Sequence, residues 1–557
     1  MSGDDPLRLR VGEAAVVRAV FDRIPLMVVG LSGPDHRYVA ANAAYREYLD
    51  GRPDLLGRPV REVLPEFEGQ RVLEMLDRVY RTGESESGWE WRVQLHRGAG
   101  GGRERYLDFT VTPHREDGAA GGGGVDGAVV GLVVHLEDVT ERVRARDRFP
   151  DQGAPRDPGR ESLVALQEAL LPDGLPVLPR VDIAGRYLVA EAPGAGGGDW
   201  FDAVPLGGGR VALIVGDVVG HGMAASTVMG QLRAVVADQF AGGADLATAV
   251  RRAQRYAERN PAARSATLGA AVLDPESGAV TYVTCGSPAP LAVTPEGVTR
   301  FLPPTGGRPL GSDDRVPVGT ATLAEGEVLV LYTDGLLERS GVPLAVGQSE
   351  LAAVAADTAA NRAFRQSRPT SVAQRVCAQT VELVARHARL DDDVTVLVAQ
   401  RRPAPVEAFE QDMPARAGLL GLLRQRLEEW LTSLGAGSDD LFSAQIAVVE
   451  AVTNAVEHAY PGGGYPDAGG AIEVRGRLNG AGAVEMLVRD FGRWRPVDPR
   501  PGPRGRGLVL IRRCMHAVDV ETAAAGTTVR MSRTLRADVF LDPLDTGRPA
   551  HRESDRR

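Results

Sequence analysis

Between residues 12 and 148 the apolar positions come in short runs broken by turn signals. LMVVGL (26–31) and RYVAAN (37–42) flank Ser-Gly-Pro-Asp, a turn sequence. Helical spacing follows in NAAYREYL and QRVLEMLDRVYRTGE, then strand-like segments near 88–96, 103–113 and 127–137. The glycine-rich stretches Gly98–Gly102 and Gly118–Gly127 fall between those segments and predict hairpin loops. The expected order is two strands, short helices and three strands. Trp89, Trp91 and Tyr106 are candidates to line a ligand pocket, although sheet-packing aromatics are the commoner role.

From 161 to 400 the pattern changes. ESLVALQEALLP has helical apolar spacing and stops at Pro172. Several apolar strands then end on acidic residues. Asp199 precedes a strand in GGGDWFDAVPL, and Asp217 ends one in ALIVGDVVGHG. Asp334 ends another in EVLVLYTDGLLE, and Asp391, Asp392 and Asp393 open a third in LDDDVTVLVAQ. A single aspartate at a strand end is ordinary turn chemistry. Four such sites suggest convergence. Gathered carboxylates repel one another unless cations neutralise them. Hard oxygen ligands suit Mg²⁺ or Mn²⁺, and two such ions about 4 Å apart activate water and clamp a phosphate.

From 406 to 537, FSAQIAVVEAVTNAVEHAY predicts a long amphipathic helix with Pro461 beyond its end. Glu450, Asn454 and His458 recur every four residues and share one face. That polar stripe crosses a mainly apolar helix, and a Mg²⁺-nucleotide would satisfy it, with Asn454 as an oxygen ligand. Asp490 ends a strand in AVEMLVRDFG, where its carboxylate suits an exocyclic amine. PRGRGLVLIRRCM runs a glycine loop into a helix, a natural phosphate seat. AGTTVRM closes the set with Gly526 and Thr527.

Composition removes several alternatives. The chain has 557 residues, so about three or four domains are expected. All 64 basic residues are arginine. A Walker-type loop, a conventional protein-kinase lysine and a Schiff-base lysine are therefore excluded. The net charge of −10 gives no sign of nucleic-acid binding. The three cysteines match no zinc spacing and read as reduced thiols. No signal-like start and no apolar run of about 18 residues is present, so a cytoplasmic chain without a membrane span is expected. Phe149 to Arg160 reads as a linker (149–160), Arg401 to Pro405 as a shorter break, and 538–557 as a disordered tail.

Residues 12–148 resemble a PAS domain, including the Asn42 turn, GRPVREVLP and the exit segment EDVTERVRAR. The resemblance implies a half-barrel that binds an unknown small ligand or a partner. The order GGDWFD, GDVVGHG, YTDG, DDVT resembles the SpoIIE/RsbU-type branch of the PPM metal-dependent Ser/Thr protein phosphatases. It implies an α-β-β-α sandwich over 161–400 and two Mn²⁺ or Mg²⁺ ions. Asp217 would bridge both ions, with the Val218 carbonyl, Asp199, Asp334 and Asp392 completing the shell; Asp393 is the weaker candidate and His221 a turn residue. The usual GHPPP segment reads GSPAP, placing Ser287 where the family has histidine, and the usual Phe-Gly after the YTDG helix is missing. Glu-x-x-x-Asn, Asp-x-Gly-x-Trp, Gly-Arg-Gly-Leu and Gly-Thr resemble the GHKL ATPases, closest to the anti-sigma-factor serine kinases. For 406–537 this implies a two-layer α/β sandwich binding Mg²⁺ and ATP. Asn454 would take the Mg²⁺, Asp490 the adenine, and Gly492, Gly505, Gly507 and Thr527 would frame the nucleotide, with Glu450 as catalytic base.

The combined expectation is a multidomain α+β signalling enzyme. A PAS sensor would control a phosphatase acting on phosphorylated anti-sigma-factor antagonist (STAS) proteins, with a serine-kinase-like domain opposing it. A sigma factor is a second expected partner and a homodimer through the PAS region is plausible. The alternative is a phosphatase whose last domain is a non-catalytic, ATP-gated docking module. A sensor histidine kinase is rejected, because the one nearby histidine, His387, falls just before a proposed metal ligand.

Overall fold

The computed structural model describes residues 14–49, 52, 54–97, 100–116, 128–148, 167, 169–190, 197–312, 315–338, 342–364, 371–385, 392–460, 470–492, 507–523 and 525–542. The linker 149–160, most of the helix expected at 161–171, Asp391, Gly505 and residues 543–557 lie outside this set.

The first unit contains α1 (Ala14–Arg23), β1 (Met27–Ser32), β2 (Arg37–Ala41), α2 (Ala43–Tyr48), α3 (Val60–Val63), α4 (Val72–Thr82), β3 (Glu86–Arg97), β4 (Gly100–Arg115), β5 (Val129–Asp138) and α5 (Thr140–Arg148). Its sheet runs β2-β1-β5-β4-β3, the PAS arrangement expected from the pattern. Asn42 pins the turn into α2. Its Oδ1 accepts from Val28 N at 3.0 Å and Tyr45 N at 3.1 Å, while Nδ2 donates to Leu26 O at 2.7 Å. Gly100–Gly102 belong to β4, so the first expected loop is shorter than the glycine run suggested. A cavity of about 60 Å³ lies inside, walled by Val29, Tyr38, Trp91, Phe109 and their neighbours. Trp91 is in that wall, Trp89 is exposed and Tyr106 is not among the lining residues. Ligand sites typically enclose about 300–1,000 Å³, so a guest here must open the core.

The second unit begins with β6 (Leu175–Pro176), β7 (Val181–Leu188), β8 (Trp200–Pro205), β9 (Val211–Asp217), α6 (Gly222–Ala241) and α7 (Leu246–Arg259). It continues through β10 (Thr267–Leu273), β11 (Ala279–Cys285), β12 (Leu291–Val293), β13 (Thr299–Phe301), β14 (Gly319–Thr322), β15 (Val328–Tyr332), α8 (Leu344–Ala359), α9 (Val372–Ala385) and β16 (Val394–Arg401). One sheet has the order β14-β11-β10-β9-β8, the other β13-β12-β15-β16-β7 plus an added edge strand. Helices α6 and α7 pack on the first sheet and α8 and α9 on the second, giving the expected α-β-β-α layers. β9 and β15 are interior strands, which is why VALIVGD and VLVLY are apolar on both faces.

The third unit contains β17 (Phe409–Pro414), α10 (Leu420–Leu434), α11 (Ser438–His458), β18 (Ala471–Leu478), β19 (Ala483–Asp490), α12 (Gly507–Cys514), β20 (Ala517–Ala523) and β21 (Gly526–Thr534). Its antiparallel sheet, β17-β18-β19-β21-β20, alternates buried and open positions, with α10, α11 and α12 covering the buried face. The chain then adds β22 (Arg536–Ala537) and β23 (Phe540–Asp542). The expected start of the tail at 538 is corrected for residues 538–542 alone, since 543–557 lie outside the described residues. β23 joins the second unit's sheet, pairing in parallel with β7. An uncovered β7 would present unpaired backbone groups at a sheet edge, and β23 pairs them. Among the described residues, no helix is long and apolar enough to cross a membrane.

The first unit is fastened to α8 and α9 by charge. Arg92 forms a bidentate pair with Glu382 of α9, one arm at 2.7 Å, and its guanidinium lies 4.0 Å over the Phe364 ring. Arg71 reaches Glu350 of α8 at 3.3 Å. Both members of the Arg92–Glu382 pair are largely covered, so each is costly to leave alone. Glu382→Arg is expected to destabilise the junction, and adding Arg92→Glu to recover much of the loss. A double-mutant cycle read by thermal unfolding should return a coupling of about 1–3 kcal/mol.

Candidate metal centre and nucleotide cleft

The acidic residues of the second unit come from the ends of strands in both facing sheets. Asp199 precedes β8, Asp217 ends β9, Asp334 follows β15, and Asp392 and Asp393 precede β16. Backbone approach draws these ends together. Val218 N donates to Gly198 O at 3.1 Å. A Cβ on Gly198 would sit 2.4 Å from the Val218 carbonyl oxygen and 2.7 Å from Asp217 Oδ1. Within the facing sheet, between the ends of β15 and β16, a Cβ on Gly335 would sit 2.0 Å from the Asp393 carbonyl oxygen. Glycine is needed at both points because no side chain fits. Thr333 joins the two sheets: its hydroxyl donates to Asp199 Oδ2 at 2.6 Å and accepts from Thr395 N at 3.0 Å.

Asp199 and Asp217 are close enough that each shifts the other's proton affinity. Burial pushes Asp199 well above the usual carboxylate range, with the Asp217 and Asp393 charges adding to it. Burial likewise raises Asp217 to about 7, followed by repulsion from Asp334, Asp392 and Asp393. Asp392 is raised too, chiefly by burial. Among the described residues, no three acidic side chains yet surround one point at ligand distance. The carboxylates are nevertheless near enough to raise one another's proton affinity. Hard oxygen donors in mutual repulsion fit divalent cations, which would remove the repulsion and draw the carboxylates inward.

Asp393 takes a different part. It is 1% exposed, and its oxygens accept from Ala190 N at 2.8 Å, Gly197 N at 2.5 Å and the Tyr187 hydroxyl. Gln167 Nε2 donates to the Tyr187 oxygen at 2.8 Å. Asp393 therefore anchors the loop between β7 and Asp199, while Asp392, more exposed, is the member free to bind an ion. The family resemblance makes Asp393 the weaker ligand candidate without indicating its anchoring contacts, and Tyr187 and Thr333 carry no signal of their own. His221 is exposed at the start of α6.

These shifts set a pH dependence for the metal-free protein. Asp217 binds its proton more tightly folded than unfolded, so the folded state holds more protons between pH 3.8 and about 7. Stability is therefore expected to fall as pH rises through that window and to level off above it. Saturating Mn²⁺ should flatten the decline. Thermal unfolding across pH, with and without metal, checks both.

In the third unit, α11 carries Glu450 and Asn454 half-buried, while His458 is exposed. The start of α12 packs against the first two: a Cβ on Gly507 would lie 2.4 Å from Glu450 Oε1 and 2.7 Å from Asn454 Nδ2. Asp490 is buried at the end of β19, and its Oδ1 accepts from Gly492 N at 3.0 Å and Thr527 N at 3.2 Å. Glu450, Asn454 and Gly507 thus form one group, and Asp490, Gly492 and Thr527 a second. The donor types suit a nucleotide: a fixed carboxylate for an amine, an amide oxygen for Mg²⁺ and a helix start for phosphate.

Two facing sheets between helix layers, with aspartates gathered at one end, define the PPM class of protein serine/threonine phosphatases, here followed by a histidine-kinase-like ATPase fold. Comparison with known proteins agrees. The family model "Stage II sporulation protein E (SpoIIE)" matches residues 207–402, "Histidine kinase-like ATPase domain" matches 413–533 and "PAS fold" matches 21–144. The crystal structure of the RsbU and RsbW domains of Rv1364c from Mycobacterium tuberculosis is 36% identical, with a TM-score of 0.57. That match covers 67% of this chain and 99% of the other. Serine-protein kinase RsbW of Bacillus pumilus is 30% identical over 148 residues, 24% of this chain and 89% of the relative. RsbW of Halalkalibacterium halodurans is 29% identical over 154 residues, 25% of this chain and 90% of the relative. The chain belongs to the SpoIIE/RsbU-type PPM serine/threonine phosphatases, in the form that carries an N-terminal PAS fold and a C-terminal RsbW-type ATPase domain.

Proposed function

We propose that this phosphatase removes phosphate from a serine or threonine of an anti-sigma-factor antagonist of the STAS type, and that its C-terminal domain uses ATP to restore it. The observation that carries the hydrolytic half is the meeting of Asp199, Asp217, Asp334, Asp392 and Asp393 from strand ends of two sheets. Asp199, Asp217, Asp334, Asp392 and the Val218 carbonyl would hold two Mn²⁺ or Mg²⁺ ions. When bound, such ions lower the pKa of a bridging water and neutralise phosphoryl charge. The protein's own part is placement. Asp393 fixes the loop carrying Asp199, Thr333 orients the Asp199 carboxylate, and Gly198 and Gly335 let the strand ends close. The site lies at a sandwich end, where a protein segment bearing a phosphoserine has access.

The opposing half rests on Glu450 beside Asn454 and the start of α12. Asn454 would take the Mg²⁺ of ATP, Asp490 the adenine, and Gly492, Gly505, Gly507 and Thr527 the rest of the nucleotide. Glu450 would accept the proton of a partner serine hydroxyl as that oxygen attacks the γ-phosphate. The PAS unit, clamped to α8 and α9, would report a small ligand or a partner to the phosphatase, and the ATPase domain would also bind a sigma factor.

The test uses purified phospho-antagonist with Mn²⁺, then dephospho-antagonist with labelled Mg-ATP. Metal-dependent phosphate release and γ-phosphate transfer that disappears in Glu450→Ala are expected. ATP binding without transfer would leave the last domain as a docking module. Absence of metal-dependent release would end the phosphatase reading.

A further inference from the structure

The chain leaves β21 at residue 534 and then touches three parts of the molecule within eight residues. It first meets the start of α11, the helix bearing Glu450 and Asn454. Gly437 precedes that helix and offers no capping side chain. The Asp538 carboxylate accepts instead from Ser438 N at 3.2 Å, and the Arg536 carbonyl accepts from Gly437 N at 2.7 Å. Asp440, in the helix's first turn, accepts from Arg536 N and from Arg533 Nε, each at 2.7 Å. Arg533 also donates to the Cys514 carbonyl at the end of α12, at 2.6 Å. The segment therefore caps the helix that bears Glu450 and Asn454, while Arg533, still within β21, ties the same Asp440 to the end of α12.

It next meets the phosphatase. β22 pairs with β6, Leu535 is fully buried with its carbonyl accepting from Val177 N, and Arg536 reaches Asp173 at 3.0 Å. β23 then pairs with β7 at Arg186, Tyr187 and Leu188. That stretch of β7 supports the acidic cluster directly. The Tyr187 hydroxyl donates to Asp393, and Ala190 N, two residues past Leu188, does the same. From Asp538, one rigid helix leads to Asn454 and one strand leads to the aspartates. Helix rise puts Ser438 and Asn454 about 24 Å apart.

We infer that residues 535–542 are a coupling strap, through which nucleotide bound at Asn454 and cation bound at Asp217 alter each other's affinity. The inference rests on the ligands proposed above for those two sites. A displacement of the α11 start moves Asp538, and with it the short strand on β7. Strands of two and three residues are weakly held, so the strap can take a second position at low cost. Linkage makes the effect reciprocal: each ligand changes the other's affinity by one common factor, about fivefold or more for a working coupling.

The experiment measures the Kd of the manganese complex of a non-hydrolysable ATP analogue, in excess Mn²⁺, by calorimetry. Four full-domain chains are compared: wild type, Asp217→Asn, a truncation after Val539, and the two combined. Equilibrium dialysis counts bound Mn²⁺ in each. Asp217→Asn should shift the nucleotide Kd about fivefold or more in the intact chain and leave it unchanged in the truncated one. Asp538→Ala, which keeps β23 but removes the cap, should abolish the shift as well and guards against a truncation that misfolds. Equal shifts in intact and truncated chains, or no shift in the intact chain, would overturn the strap. A wild-type chain binding no manganese or no nucleotide would overturn both the strap and the sites it joins.

Discussion

Asp217→Asn is expected to reduce metal-dependent phosphate release by about a thousandfold or more, since the several kcal/mol that bound ions supply would be lost at about 1.4 kcal/mol per decade. The reason is geometric. Asp217 is the member that interacts with all the others: Asp199, Asp334, Asp392 and Asp393 each shift it or are shifted by it. An amide in its place keeps the shape of the side chain but removes the charge that a bridging position needs. The same change relieves crowding. Burial and like charge raise Asp217 to about 7, so the ionised carboxylate is a burden on the metal-free fold at neutral pH. The variant should be more stable than wild type without metal above pH 7, and the fall in stability between pH 3.8 and 7 should shrink. Added Mn²⁺ should stabilise wild type and leave the variant nearly unmoved. Loss of activity together with a gain in metal-free stability separates a removed ligand from a damaged core.

Gly507→Ala is expected to weaken Mg-ATP binding by about tenfold or more while costing little thermal stability, since one decade is about 1.4 kcal/mol. The new methyl would fall 2.4 Å from Glu450 Oε1 and 2.7 Å from Asn454 Nδ2. Both are ends of side chains and can swing away, so the fold absorbs the change. The cleft would not, because the displaced atoms are those proposed to face the nucleotide. Calorimetry with an ATP analogue, beside a thermal melt, checks the contrast. A large fall in Tm with binding intact would contradict the placement of this pair in the cleft.

Much of this was legible in residue order. The strand-end aspartates stood out because each borders an apolar run, Asp217 and Asp334 after it and Asp199 and Asp392 before it, and the sheets place those ends together. The α11 stripe was readable because a helix repeats every 3.6 residues. What was hidden depends on contacts far apart in sequence. Asp393 was the weaker ligand candidate, but nothing local showed that three donors from β7 and the following loop claim it. The C-terminal segment looked loose because it ends in the polar, charged run GRPAHRESDRR, a composition that marks low burial. Its order comes from backbone pairing with an edge strand some 350 residues earlier, about which composition is silent. The PAS clamp on Glu382 was equally invisible, since Arg92 and Glu382 carry no local pattern.

The central claim is tested most directly by a crystal of the full chain grown with Mn²⁺ and measured for anomalous scattering. Two strong peaks should appear, bounded by the side chains of residues 199, 217, 334 and 392 and the carbonyl of 218. An anomalous map with no density there, or with manganese held elsewhere, would contradict it.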